Sequence, residues 1–169
     1  MQAKDSNSKF RDIYDAYKEK LFYFCLSKLK NNEDAFDVLQ EVFLKVYRNL
    51  NKIDDNKNIG AYIFKIAQNT IIDVVNTNKK IQTENLEDIN ENEIADNNLN
   101  VEQIVNDKFR NIAVLESLNV LTAREREIFE LKYFFDFKIK EIAEKLNISD
   151  GAVKRYLFDA TRKMKNLNS

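Results

Sequence analysis

Proline is absent from this chain of 169 residues, and glycine occurs only at Gly60 and Gly151. Strands in a small protein are joined by sharp reversals, which draw on these two residues for backbone angles that others adopt at a cost. A chain so poor in both is short of hairpins, and its supply of Leu, Lys and Glu suits helices. The expected fold class is therefore all-α. The sequence divides into two small helical lobes, residues 1–80 and 108–169, joined by an acidic linker, residues 81–107. At 44% hydrophobic residues each lobe can pack a core, but a lobe of about 60 to 80 residues buries only about 60% of its unfolded surface and is marginal alone.

The net charge of −1 averages over unlike segments. Residues 1–80 carry 14 basic and 11 acidic side chains, residues 81–107 carry 8 acidic and no basic ones, and residues 108–169 carry 13 basic and 9 acidic. Two mildly basic lobes around an acidic strip leave nucleic acid open as a partner. The strip, IQTENLEDINENEIADNNLNVEQIVND, has thin apolar spacing and reads as a solvated spacer that turns helical from about Val101. A sharper alternative is that its charge mimics nucleic acid and screens a basic surface. Its carboxylates Glu84, Glu87, Asp88, Glu91 and Glu93 are close in sequence, but no rigid scaffold would hold them around a metal for hydrolysis.

Cys25 is the single cysteine, so an intrachain disulfide is excluded and the thiol reads as a small buried hydrophobe. The absence of His removes the usual zinc constellations and His-based acid/base chemistry. No metal, cofactor or catalytic residue is expected, and the chain does not read as an enzyme. No apolar run reaches the roughly 20 residues of a membrane span, and MQAKDSNSKF lacks the apolar core of a signal peptide. A cytoplasmic protein without membrane insertion is expected.

Apolar residues recurring at three and four predict helices over 9–29, 33–50 and 59–75. In the second, Ala35, Val38, Leu39, Val42, Val46 and Leu50 form one stripe facing the core, with Asn32 as its cap and Glu33 and Asp34 where the helix dipole favours acid. The same helix carries Phe36, Phe43, Leu44 and Tyr47 on other faces, among Asp37, Gln40, Glu41 and Arg48. Such a helix is either central in its lobe or offers a docking surface.

After the linker, Thr122-Ala-Arg-Glu125 has the form of a capping box, and a helix to about Tyr133 follows. The rings of Phe134, Phe135 and Phe137 then read as the plug of a small core, since three exposed rings would invite aggregation. In IKEIAEKLNISDGAVKRYLF, residues 139–158, Ile142 and Leu146 share a face and Ala143 lets a second helix cross closely. Asn147 ends the first helix in a left-handed conformation, Ile148 anchors the turn, Ser149 caps the second helix, and Val153 is placed to pack against Ala143. This is a helix-turn-helix, against the blander alternative of an amphipathic pair with a charged face. Its outward residues are Asp150, Gly151, Lys154, Arg155 and Phe158, with Arg162, Lys163 and Lys165 trailing. Gly151 and Ala152 leave room for a sugar-phosphate backbone, while Lys154 and Arg155 can reach phosphates or guanine edges.

Taken together, Asp34-Ala-Phe-Asp-Val-Leu-Gln-Glu-Val-Phe43, Ala61-Tyr-Ile-Phe-Lys-Ile-Ala-Gln-Asn-Thr-Ile-Ile-Asp73, Leu121-Thr-Ala-Arg-Glu125, and Glu141-Ile-Ala-Glu-Lys-Leu continuing to Gly151-Ala-Val-Lys154 resemble the bacterial RNA polymerase sigma factors of the extracytoplasmic-function (ECF) type. The resemblance covers roughly residues 10–80 and 112–166. It implies an alternative sigma factor that binds core RNA polymerase, recognises −35 and −10 promoter elements and starts promoter melting. Polymerase would be bound by Asp37, Gln40, Glu41 and Phe43. The melted non-template strand of the −10 element would be received by the loop 51–58 with Tyr62, Lys65 and Asn69, since an unpaired base can stack on a ring and have its edge read by an amide.

The resemblance further implies that double-stranded promoter DNA at the −35 element is met by Ser149, Gly151, Lys154, Arg155, Phe158 and Arg162. An anti-sigma factor joins the partners to be tested for. Tyr62 stands where the family usually has Trp, and Asp73 is followed by Val-Val-Asn-Thr-Asn rather than an early Arg. Asp159 and Thr161 also stand where Arg is common, so weak binding to free DNA is expected. The competing reading is a stand-alone helix-turn-helix regulator acting as a dimer, which would footprint a palindrome without polymerase.

Overall fold

A computed structural model describes residues 2–54, 57–84 and 108–167, and every regular element among them is helical. In chain order these are α1 (Gln2–Leu29), α2 (Asn32–Arg48), a 3-10 turn (Leu50–Lys52), α3 (Ile59–Glu84), α4 (Lys108–Asn119), α5 (Ala123–Tyr133), α6 (Ile139–Leu146) and α7 (Asp150–Leu167). The all-α expectation and the two-lobe arrangement agree with this order.

Boundaries differ from the periodicity reading where local chemistry overrides apolar spacing. Asn31, not Asn32, caps α2: its extended backbone lets Oδ1 accept from the amides of Glu33 at 2.8 Å and Asp34 at 3.1 Å. The helix stops at Arg48 because the Asn49 amide side chain donates to Lys45 O, and Leu50 enters the core from the 3-10 turn instead. α3 continues past Val75 to Glu84, four residues into the expected linker. Apolar spacing fades after Val75, but no Gly or Pro stands there to end the helix. The helix expected from Val101 lies outside the described residues up to Lys108, where α4 begins. Glu87, Asp88, Glu91 and Glu93 also lie outside them.

The stripe of α2 is buried as its spacing requires: Ala35, Val38, Val42 and Val46 have no exposed surface. It packs against α1 and α3, which contribute Leu21, Cys25, Ile63 and Ala67. Cys25 behaves as the small hydrophobe expected, and burial pushes its thiol up to about 12. In the second group, Leu118, Ile128, Leu131, Ile142, Val153 and Ala160 are the buried residues contributed by α4 to α7.

The rings after α5 are buried as the sequence reading required, and the structure shows which core each enters. Phe135 does not plug the second lobe; it enters the first, with its ring 4.9 Å from Phe24 of α1 and 5.0 Å from Phe64 of α3. Phe137 follows it onto Phe64 at 5.8 Å. Asp136 between them is left-handed, at φ 57°, which reverses the chain so that both rings meet the same partner. Polar contacts flank this aromatic junction. Tyr17 donates to Asp136 Oδ2 at 2.8 Å, Asn58 donates to Asp136 O at 3.2 Å, and Lys28 lies 3.2 Å from the buried Glu130. Burial raises the Tyr17 phenol above its ordinary pKa and the Asp136 bond adds to this, so it stays a donor. The two helical groups thus share one continuous set of buried residues.

Candidate nucleic-acid interface

The helix before the helix-turn-helix, α5, starts with the capping box read from the sequence: Glu125 N donates to Thr122 Oγ1 at 3.2 Å, and Thr122 N donates to Glu125 Oε1 at 3.3 Å. Asn147 then ends α6 at φ 54° and ψ 48°, the left-handed conformation that a short amide side chain tolerates best. Two residues later Ser149 Oγ accepts from Ala152 N at 3.1 Å, capping α7. Ile142, Ala143, Val153 and Leu157 are buried between α6 and α7, with Ile148 half-buried in the turn.

With that stripe inward, the other face of α7 is set by helical geometry. Gly151, Lys154, Arg155, Phe158 and Arg162 are all exposed. Phe158 is 66% exposed, a large apolar ring held in water. Arg162 is already engaged: its guanidinium lies 3.5 Å from Asp159 Oδ1 and 5.9 Å from the centre of the Phe158 ring. A shallow cleft along the start of the helix is lined by Ser149, Gly151, Ala152, Arg155, Tyr156 and Asp159. Lys163 points elsewhere, to Glu125 at 2.6 Å. Burial works against the charged form of Glu125, yet the bonds from Lys163 and Thr122 outweigh it and hold the carboxyl below its ordinary range.

On α3, Tyr62, Lys65 and Asn69 recur at three and four and share a face. Tyr62 is half-buried, while Lys65 and Asn69 are exposed. Tyr62 and Lys65 line a cleft of about 1000 Å3 together with Lys52, Asp54, Lys57 and Asn58 of the preceding loop. Asn69 lies on the same face outside that lining. Part of the lining was not legible in the sequence: Asp136, Lys138 and Glu141 of the second lobe border the cleft.

On α2, Asp37, Gln40 and Glu41 are exposed, and Glu41 pairs with Lys45 at 3.1 Å. Phe43 is not on that face. It is 4% exposed, with the rings of Tyr14 at 4.8 Å and Phe10 at 6.2 Å over it. The sequence reading placed it outward because it lies off the main stripe; α1 supplies the aromatic cover. Leu44 and Tyr47, each 50% exposed, are the apolar residues that border Asp37, Gln40 and Glu41.

The chain matches two family descriptions. The description "Sigma-70 region 2" matches residues 13–81, and "Sigma-70, region 4" matches residues 111–164. The ECF RNA polymerase sigma factor SigW of Bacillus subtilis is 30% identical over 159 residues, covering 89% of this chain and 84% of that protein. This chain belongs to the ECF sigma factors. SigM of the same organism is also 30% identical, over 92% of this chain and 93% of its own length.

As a sigma factor the chain binds core RNA polymerase and recognises promoter DNA, and the stand-alone dimeric regulator gives way to this reading. The fold agrees with solved sigma factors: RpoE of Bartonella quintana, seen with the anti-sigma factor NepR, aligns over 94% of this chain with a TM-score of 0.56 at 19% identity. CnrH, seen with the cytosolic domain of CnrY, aligns over 95% with a TM-score of 0.55 at 18% identity. Among the described residues no helix is long and apolar enough to cross a membrane.

Proposed function

We propose that this sigma factor divides promoter recognition between its lobes, taken as residues 1–80 and 108–169 with 81–107 between them. The second lobe meets the −35 element through Ser149, Gly151, Lys154, Arg155, Phe158 and Arg162. The first receives the displaced non-template strand of the −10 element at Tyr62, Lys65 and Asn69 and so starts melting. Asp37, Gln40 and Glu41 dock the chain on core polymerase, with Leu44 and Tyr47 beside them in place of the buried Phe43. The observation that carries this reading is the outward row of Gly151, Lys154, Arg155 and Phe158 on a helix whose opposite stripe is fully buried. Small residues at its start admit a backbone, cations reach phosphates, and the ring offers an apolar contact to a thymine methyl.

The chain carries no catalytic chemistry of its own on this reading, and it works in the cytoplasm where polymerase is found. An anti-sigma factor is a further partner, supported by the similarly folded RpoE seen with the anti-sigma factor NepR. The test adds the purified chain to core polymerase and a panel of candidate promoters. Specific transcripts support the reading; absence of both polymerase binding and transcripts overturns it.

A further inference from the structure

A single cation links α2 to α3 between the two faces assigned above. Lys45 Nζ lies 3.1 Å from Glu41 Oε1, one turn back on α2, and donates to Thr70 Oγ1 on α3 at 3.2 Å. The Glu41 and Lys45 side chains are 52% and 38% exposed, whereas Thr70 is 1% exposed, so the ammonium reaches from solvent into the seam between the helices. Thr70 Oγ1 in turn donates to Ile66 O at 2.8 Å. An ammonium has donors and no acceptor. Lys45 therefore occupies a lone pair of the hydroxyl and commits its hydrogen to Ile66 O.

That commitment falls on the turn of α3 that spaces Lys65 from Asn69. A hydroxyl bonded back to the carbonyl four residues earlier loosens a helix and bends it locally. The relative placement of Lys65 and Asn69 thus depends on how firmly the Thr70 hydroxyl is held. Lys45 divides its charge between that hydroxyl and a full carboxylate. An exposed ion pair at this spacing is weak, so a cationic partner can take Glu41 readily.

We propose that Lys45 is a positioning residue that couples polymerase docking at Glu41 to strand capture on α3. With Glu41 engaged by core polymerase, the ammonium turns its whole charge on Thr70, which polarises the hydroxyl and strengthens its onward bond to Ile66 O. The turn that carries Lys65 and Asn69 stiffens, and the strand is held more tightly once polymerase is docked. By linkage a bound strand tightens polymerase docking by the same factor. The proposal rests on the assignments of Glu41 to polymerase and of Lys65 and Asn69 to the strand.

The test measures binding of a fluorescein-labelled, mixed-sequence single-stranded DNA decamer by anisotropy, for the full chain alone and saturated with core polymerase, with polymerase alone as the blank. The readout is the ratio of the two affinities, because a merely structural role weakens both and leaves the ratio unchanged. The parent should gain at least about fivefold on docking. Lys45→Met keeps the aliphatic stem and should reduce the gain to less than about twofold, whereas Lys45→Arg, which can still donate to both partners, should retain it. Thr70→Val should match Lys45→Met; should it fail to fold, the two variants at the exposed Lys45 carry the test. No gain in the parent, or an undiminished ratio in Lys45→Met, overturns the proposal. Glu41→Ala tells the two ideas apart. Polymerase binding unchanged by it removes Glu41 from the docking face and takes the proposal with it. Weakened polymerase binding, beside an undiminished ratio in Lys45→Met, leaves the docking assignment standing and overturns the coupling alone.

Discussion

Lys163 Nζ lies 2.6 Å from Glu125 Oε1, and this pair fastens the end of the recognition helix α7 to the start of α5. The Glu125 side chain is 5% exposed and its Oε2 has no hydrogen-bond partner, so Lys163 is its main compensation for leaving water. Replacing Lys163 with Met preserves the aliphatic stem and removes the charge. The stranded carboxylate should cost about 2 kcal/mol, read as a lower urea midpoint.

Acid should loosen the same junction. The Glu125 carboxyl is held below its ordinary range, so its contribution is present above its unfolded value of about 4.3 and is lost as pH falls through the folded value. Glu130 runs the other way: burial raises it against the pull of Lys28 and Arg126, so its contribution is present at low pH and lost as pH rises through the raised value. Melting curves over a pH series should therefore show Glu125→Gln removing part of the acid-side loss. Glu130→Gln should flatten the decline above about pH 4.3.

The left-handed Asn147 makes opposite predictions for two substitutions. Asn147→Gly suits a φ of 54° and should leave stability within a few tenths of a kcal/mol or slightly raised. Asn147→Val places a branched side chain in that region and should cost about 1 to 2 kcal/mol. Denaturant midpoints of the two variants check this.

Exposure separates the proposed docking face of α2 from its core. Asp37→Ala with Gln40→Ala should leave the melting temperature nearly unchanged while weakening core polymerase binding at least tenfold, measured by co-sedimentation or interferometry. Phe43→Ala, although next to that face in sequence, removes a 4% exposed ring packed on Tyr14. It should cost about 3 to 5 kcal/mol of stability. Equal polymerase binding by the double variant and the parent would remove the face from the assignment.

On the proposed −35 assignment of Arg162, its ion pair with Asp159 competes with DNA. Freed by Asp159→Asn, the guanidinium can reach a phosphate, so affinity of the isolated chain for −35 duplex should rise and the salt dependence steepen by about one unit of slope. Binding titrations at several salt concentrations read both changes.

Some of this was legible from local chemistry. The capping box at Thr122 and Glu125, the left-handed Asn147 and the Ser149 cap depend on residues within a turn of one another, and each was found where its residue types placed it. The exposed row on α7 follows from helical periodicity once one stripe is known to be buried. The end of α3 was missed because fading apolar spacing marks the end of a buried face, which is not the end of a helix. Phe43 was misplaced because its cover comes from Phe10 and Tyr14, over 28 residues away.

By itself the sequence determined the all-α class, the helix-turn-helix and the ECF sigma family, since these rest on composition, short-range capping and motif order. Only the tertiary structure decided that Phe135 leaves its own lobe for the slot between Phe24 and Phe64, that Gly60 lies directly against the Phe135 carbonyl, and that Asp136 borders the cleft beside Tyr62. Those contacts join residues over 70 positions apart, with Asn58 and Asp136 separated by 78. Periodicity tells which face of a helix avoids water, but the partner that covers it is chosen by shape and packing across the whole molecule.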